Sequence, residues 1–148
     1  MKTIYGLIII AFGLLTLSCS KTSQKDPADD LVGKYKYTDH YYLKWGGDSK
    51  NDTYQGTFSL TKIAANKVRM TGDWNTTGTI TGNSIQFEFC PQSSSQGYVN
   101  YTFGAGIIGY TNMTFTYSGS GYMTYSNGIS YPWDTSGNVY AWRISEEP

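Results

Sequence analysis

Histidine occurs once in this chain and cysteine twice, and each scarcity removes a class of function. A zinc site or a histidine-activated nucleophile needs several partners, and His40 has no second imidazole to work with. Charge is scarce as well: eleven Lys and Arg balance eleven Asp and Glu, and charged residues make up only 15% of the chain. That leaves no basic footprint for nucleic acid and no cationic cluster to hold an anionic membrane surface. Helix formers such as Ala, Leu and Glu are few, and with no helical segment there is no strand–turn–helix phosphate loop.

What the chain has instead is 14 Tyr, 17 Gly and abundant Thr, Ser and Asn, a mixture that suits a pleated surface broken by tight turns. From Gly33 onward the hydrophobic signal has period two. Tyr35, Tyr37, Tyr41, Leu43 and Trp45 share one face of the first strand, and Asp39 interrupts that face, which suggests a bulge or a bend. Similar alternation places Phe58 and Leu60, Val68 and Met70, then Ile85, Phe87 and Phe89 on inward faces. Further short strands follow around Tyr101, Phe115, Met123, Trp133 and Val139, with Ser118-Gly119-Ser120-Gly121 read as a turn. Gly82-Asn83 and Asn127-Gly128 are two-residue hairpin signals. The reading is an all-β, antiparallel up-and-down meander of roughly 8–10 strands closed into a barrel, since closure removes exposed edges. A β-sandwich is the alternative.

The front of the chain is different. After Lys2, residues 4–17 form an uncharged apolar run, too short to span a membrane but the right length for a signal-peptide core. Leu15-Thr16-Leu17-Ser18-Cys19 resembles a bacterial lipobox, with Thr16 where Leu is usual. The resemblance implies that residues 1–18 are removed and that Cys19 is acylated, anchoring the chain in the cell envelope, in the outer membrane of a Gram-negative bacterium. The mature chain would then carry ten basic and eleven acidic side chains, a net charge of −1. Lipidation consumes Cys19 and leaves Cys90 a lone thiol, whereas an unmodified Cys19 could bridge to Cys90. Residues 19–31 read as the lipidated cysteine and a flexible polar tether with nothing to bury. Residues 32–148 read as the folded domain.

That domain resembles the lipocalin-like (calycin) barrels of small bacterial lipoproteins. Gly33-Lys34-Tyr35 is similar to the Gly-x-Trp that opens a lipocalin, with Tyr in place of Trp, and Arg143 stands in the last strand. The resemblance implies that Arg143 packs over the Tyr35 ring at the closed end of the barrel, a cation–π contact of about 0.5–2 kcal/mol.

No catalytic constellation emerges. Asp39, Asp48, Asp52, Asp73, Glu88 and Asp134 are scattered over loops and outward faces, although loops could gather Asp48, Asp73 and Asp134. A glycosidase needs two carboxylates facing each other, so no enzyme is expected, and no metal or other cofactor either. His40 falls on an outer face, and Cys90 reads as a small buried residue at a strand end. The aromatics carry the functional promise. Counting from the closed end puts Trp45, Tyr54, Trp74, Tyr117 and Trp133 near the open mouth, together with Phe89, Tyr98 and Tyr122. The first five are the candidate ligand-binding residues; in the alternative, these rings simply plug the barrel. Arg69 and Arg143 read as outward, and only Lys62 shares the inward parity of its strand, which favours an apolar or neutral ligand over an anion. The competing reading is an envelope module that binds glycan or protein through its Thr/Tyr/Asn-rich outer surface.

Overall fold

In a computed structural model the structure describes residues 25–94, 96–124 and 128–144. The signal peptide expected over residues 1–18 and the lipid site Cys19 lie outside them. One short helix, α1 (Pro27–Leu31), precedes ten strand segments: β1 (Gly33–Trp45), β2 (Asp48–Ala64), β3 (Lys67–Gly72), β4 (Thr76–Thr81), β5 (Ser84–Phe87), β6 (Cys90–Ser94), β7 (Gly97–Phe103), β8 (Gly106–Ile108), β9 (Asn112–Thr124) and β10 (Ser130–Ile144). They form a single antiparallel sheet in which β10 pairs with both β1 and β9. The sheet therefore closes on itself, and the sandwich alternative falls away.

Two pairs of segments are interrupted strands. Ile85 faces Gly106 and Cys90 faces Tyr101 in one unbroken register, so β5 with β6 and β7 with β8 each make one strand. Counted so, the ten segments give an eight-stranded ring that follows chain order, an up-and-down barrel. The break at residues 88–89 turns Phe89 outward, where it is 59% exposed, and brings Cys90 inward; the inward placement expected for Phe89 is corrected by that irregularity. Trp45 pairs with Asp48 across Gly46 and Gly47, both at positive φ, and Thr81 pairs with Ser84 across Gly82-Asn83. These are the tight turns that glycine makes possible.

Ser118–Gly121 is not a turn. The segment runs straight through β9, with Gly119 facing Tyr101 and Gly121 facing Val99 on β7. A Cβ on Gly119 would come within 3.0 Å of Tyr101 and Thr135, and one on Gly121 would run into the Tyr98 carbonyl. Glycine here permits close approach of neighbouring strands rather than a reversal. Likewise β10 is one long strand where two short ones were expected, and β1 passes Asp39 without a bulge, paired on both sides.

The closed end is filled by rings. Tyr35 stacks on Phe58 at 5.2 Å between centroids, and Phe58, Phe87, Phe103 and Trp74 all pack on Phe115 at 5.2–6.3 Å. Each such pair contributes roughly 0.5–1.5 kcal/mol beyond its buried area.

The expected tether ends earlier than residue 31. Asp26 caps α1 by accepting from the Ala28 amide at 2.9 Å, and also accepts from the Asn66 amide in the β2–β3 turn at 3.0 Å. Ala28 and Leu31 are buried against the core, and Tyr35 donates its hydroxyl to the Leu31 carbonyl at 3.0 Å. Two apolar side chains on one helical turn pack against the barrel base, so residues 26–31 are part of the folded unit.

Candidate binding site at the barrel mouth

At the opposite end, a cavity of about 280 Å³ lies above the aromatic plug. It is lined by Tyr37, Asp39, Tyr41, Leu43, Tyr54, Asp73, Trp74, Tyr101, Tyr117, Trp133 and Thr135. Four of the predicted ligand-binding residues, Tyr54, Trp74, Tyr117 and Trp133, are brought together here. Trp45 is not among the lining residues: it stands at the strand end, in register with Trp133, half-buried beyond the cavity. Tyr98 and Tyr122 pair on the outer face, 6.0 Å between rings, and are roughly half exposed.

Trp74 anchors the floor, with its ring 5.3 Å from Tyr37, 5.5 Å from Tyr117 and 5.8 Å from Phe115. The walls rise through Tyr101, 5.7 Å from Tyr117 and 6.5 Å from Trp133. Rings thus fill the base of the barrel and line its mouth.

Two carboxylates that the sequence reading left outside the site share this cavity. Asp39, only 4% exposed, points inward from β1 and accepts the Tyr117 hydroxyl through Oδ2 at 2.6 Å. Its Oδ1 has no hydrogen-bond partner among the described residues. Burial pushes this carboxyl above its ordinary value, against the opposing pull of the Tyr117 bond and of His40. The second carboxylate, Asp73, accepts the Tyr37 hydroxyl in a short hydrogen bond. Alternation along β3 put Asp73 outward, but the strand ends at Gly72, whose φ of +136° redirects the chain so that Asp73 and Trp74 both line the cavity. Asp48 and Asp134, the other candidates for a loop cluster, do not line it.

The tyrosines are held protonated. Burial and the carboxylate it contacts push the Tyr37 hydroxyl well above the ordinary phenol range, and burial and Asp39 do the same to Tyr117. Tyr101 is pushed up to about 12, chiefly by burial. These hydroxyls are donors, not nucleophiles, at neutral pH.

No Lys or Arg lines the cavity. Lys62 sits at the surface of the closed end, ion-paired with Asp26 and Asp29 at 2.8 Å each. Arg143 has the parity of buried Val139 and Ala141, not the outward parity read from the sequence. Its guanidinium lies 5.8 Å from the Tyr35 ring centroid, and Nη2 donates to the Asp30 carbonyl. The expected Arg143–Tyr35 contact is thus present, in register across β10 and β1. His40 lies on the outer face as expected, 3.1 Å from Thr53 Oγ1 and against the Tyr140 ring. Cys90 is buried, its thiol 3.4 Å from the Asn75 carbonyl. Among the described residues no group of three or more His, Cys, Asp or Glu side chains is placed to hold a metal ion.

The chain matches no family model and no curated protein. Among solved structures it is similar to a protein of unknown function from the DUF3598 family of Nostoc punctiforme PCC 73102, with a TM-score of 0.41 and 15% identity. That similarity covers 79% of this chain and 49% of the other, so the chain spans about half that structure's length.

Proposed function

We propose that this chain is a lipid-anchored binding module of the bacterial envelope, with a lipocalin-like barrel whose mouth takes a small ligand without negative charge. The observation that carries the reading is the mouth cavity: tryptophan and tyrosine walls, two carboxylates and no cation. Such a concave, mostly aromatic site with a few convergent polar groups is the form a small-molecule pocket takes. The carboxylates move the expected ligand from apolar to one that carries polar hydrogens. The Arg143–Tyr35 contact supports the lipocalin-like reading, and the box before Cys19 supports the anchor.

Native mass spectrometry of the full chain, purified from bacterial envelopes in mild detergent, tests both parts. The expected result is a covalent lipid mass that Cys19→Ser abolishes, and a non-covalent adduct that denaturation and Trp133→Ala remove. A bare barrel with no thermal shift across panels of amines, sugars and apolar compounds overturns the ligand reading. It would favour the outer surface instead, where Tyr98, Tyr122 and Tyr140 stand exposed and could meet glycan or protein.

A further inference from the structure

We infer that the ligand of the mouth cavity is an organic ammonium ion, its charge held by Asp39 and Asp73 and its carbon surface laid against Trp74, Trp133 and Tyr101. The inference rests on the reading of the mouth as a ligand site and narrows it to one chemical class.

Three observations converge. The cavity brings two carboxylates and several aromatic faces together with no cation among its lining residues. An aromatic face attracts a cation through its quadrupole, and a carboxylate attracts it through charge. Next, the hydroxyls bonded at the carboxylates have already spent their protons. Tyr117 donates to Asp39, Tyr37 donates to Asp73, and Thr135 donates to the Tyr42 carbonyl at 2.8 Å. What this part of the wall still offers is acceptor capacity. An organic ammonium ion brings a positive charge, which carboxylate oxygens answer. Finally, Asp39 is 4% exposed and its Oδ1 is unpartnered among the described residues. Leaving a buried charged oxygen without a partner is costly, and a cation seated over Asp39 offsets that cost.

The backbone is shaped to keep these oxygens where they are. A Cβ on Gly137 would come within 2.5 Å of Asp39 Oδ1, and one on Gly56 within 2.5 Å of Asp73 Oδ2. Each carboxylate therefore lies against a strand position where only glycine leaves it room.

Isothermal titration calorimetry on the full chain tests this with matched pairs: choline against 3,3-dimethylbutan-1-ol, and butylammonium against butan-1-ol, with glucose as a neutral polyol. At least one cation should bind about tenfold or more tighter than its neutral counterpart. Asp73→Asn should lose that preference while keeping the folded spectrum and the weaker affinity for the alcohol. A neutral partner or glucose that binds as well as the cations overturns the ammonium inference and leaves the ligand site standing. If none of the five binds, and tryptophan fluorescence does not change, both the inference and the ligand-site reading fall. The wild-type comparison decides the matter even where a variant does not fold.

Discussion

Replacing Tyr117 by Phe removes one oxygen atom from the interior and leaves Asp39 without a partner. In the folded chain Tyr117 is 8% and Asp39 4% exposed, and their 2.6 Å bond is the one side-chain hydrogen bond to that carboxylate among the described residues. A buried hydrogen bond to a charged group contributes about 1.5–3 kcal/mol. Tyr117→Phe should therefore cost about 2 kcal/mol near neutral pH. The pH dependence is the sharper mark. Burial raises the folded pKa of Asp39 above its unfolded value of 3.8, so the fold holds that proton more tightly and stability falls as pH rises through the folded pKa. The Tyr117 bond holds that pKa down. Removing it raises the pKa further, so the loss should be larger at about pH 8 than at about pH 4. Urea unfolding followed by tryptophan fluorescence at the two pH values measures this. In an Asp39→Asn background the pH dependence should vanish. An equal loss at both pH values, or a loss below about 0.5 kcal/mol at the higher one, refutes the account of Asp39 as a buried carboxylate held by one hydroxyl.

Gly137→Ala places a methyl 2.5 Å from both Asp39 Oδ1 and the Tyr117 ring; it should cost about 1–3 kcal/mol in the same urea assay, and a neutral outcome would mean the pair moves freely. Asp26 is lowered to about 2 by the Lys62 contact and by the Ala28 and Asn66 amides. Its contribution is therefore present above the unfolded value of 3.8 and lost as pH falls through about 2. Asp26→Asn should speed amide hydrogen exchange at Ala28 and Asn66 at neutral pH, and the difference from wild type should close near the acid limit. Unchanged exchange would mean that α1 is held by Ala28 and Leu31 alone.

The barrel was legible because its evidence is periodic. Tyr35 and Tyr37, Val68 and Met70, and Phe115 and Tyr117 alternate in sequence and stand inward in space. Gly46-Gly47 at the end of β1 and Gly82-Asn83 at the end of β4 mark their hairpins. The errors came where one residue type serves two physical ends. Glycines 119 and 121 read as turn formers, but they admit a neighbouring strand. Phe89 followed the alternation until one irregular step in the strand reversed it, and nothing in the residue types marks that step. Asp39 was visible and was misjudged: an acidic residue on an otherwise apolar inward face signals a polar group kept inside, and the ladder runs past it unbroken. Asp73 was hidden because strand parity stops at Gly72. The helix α1 has five residues, too few to show a 3.6-residue period.

The chain enters the barrel at the end opposite its mouth. It comes in beneath the closed end, where Asp26 accepts from the β2–β3 turn and the Asp30 carbonyl takes the Arg143 guanidinium. From there β1 climbs 13 residues to the mouth, a height of roughly 30 Å once strand tilt is allowed for. A barrel held by Cys19 would then sit on its base like a cup on a saucer, its aromatic rim turned to the bathing fluid. Solutes would reach it by diffusion from the aqueous side without crossing lipid.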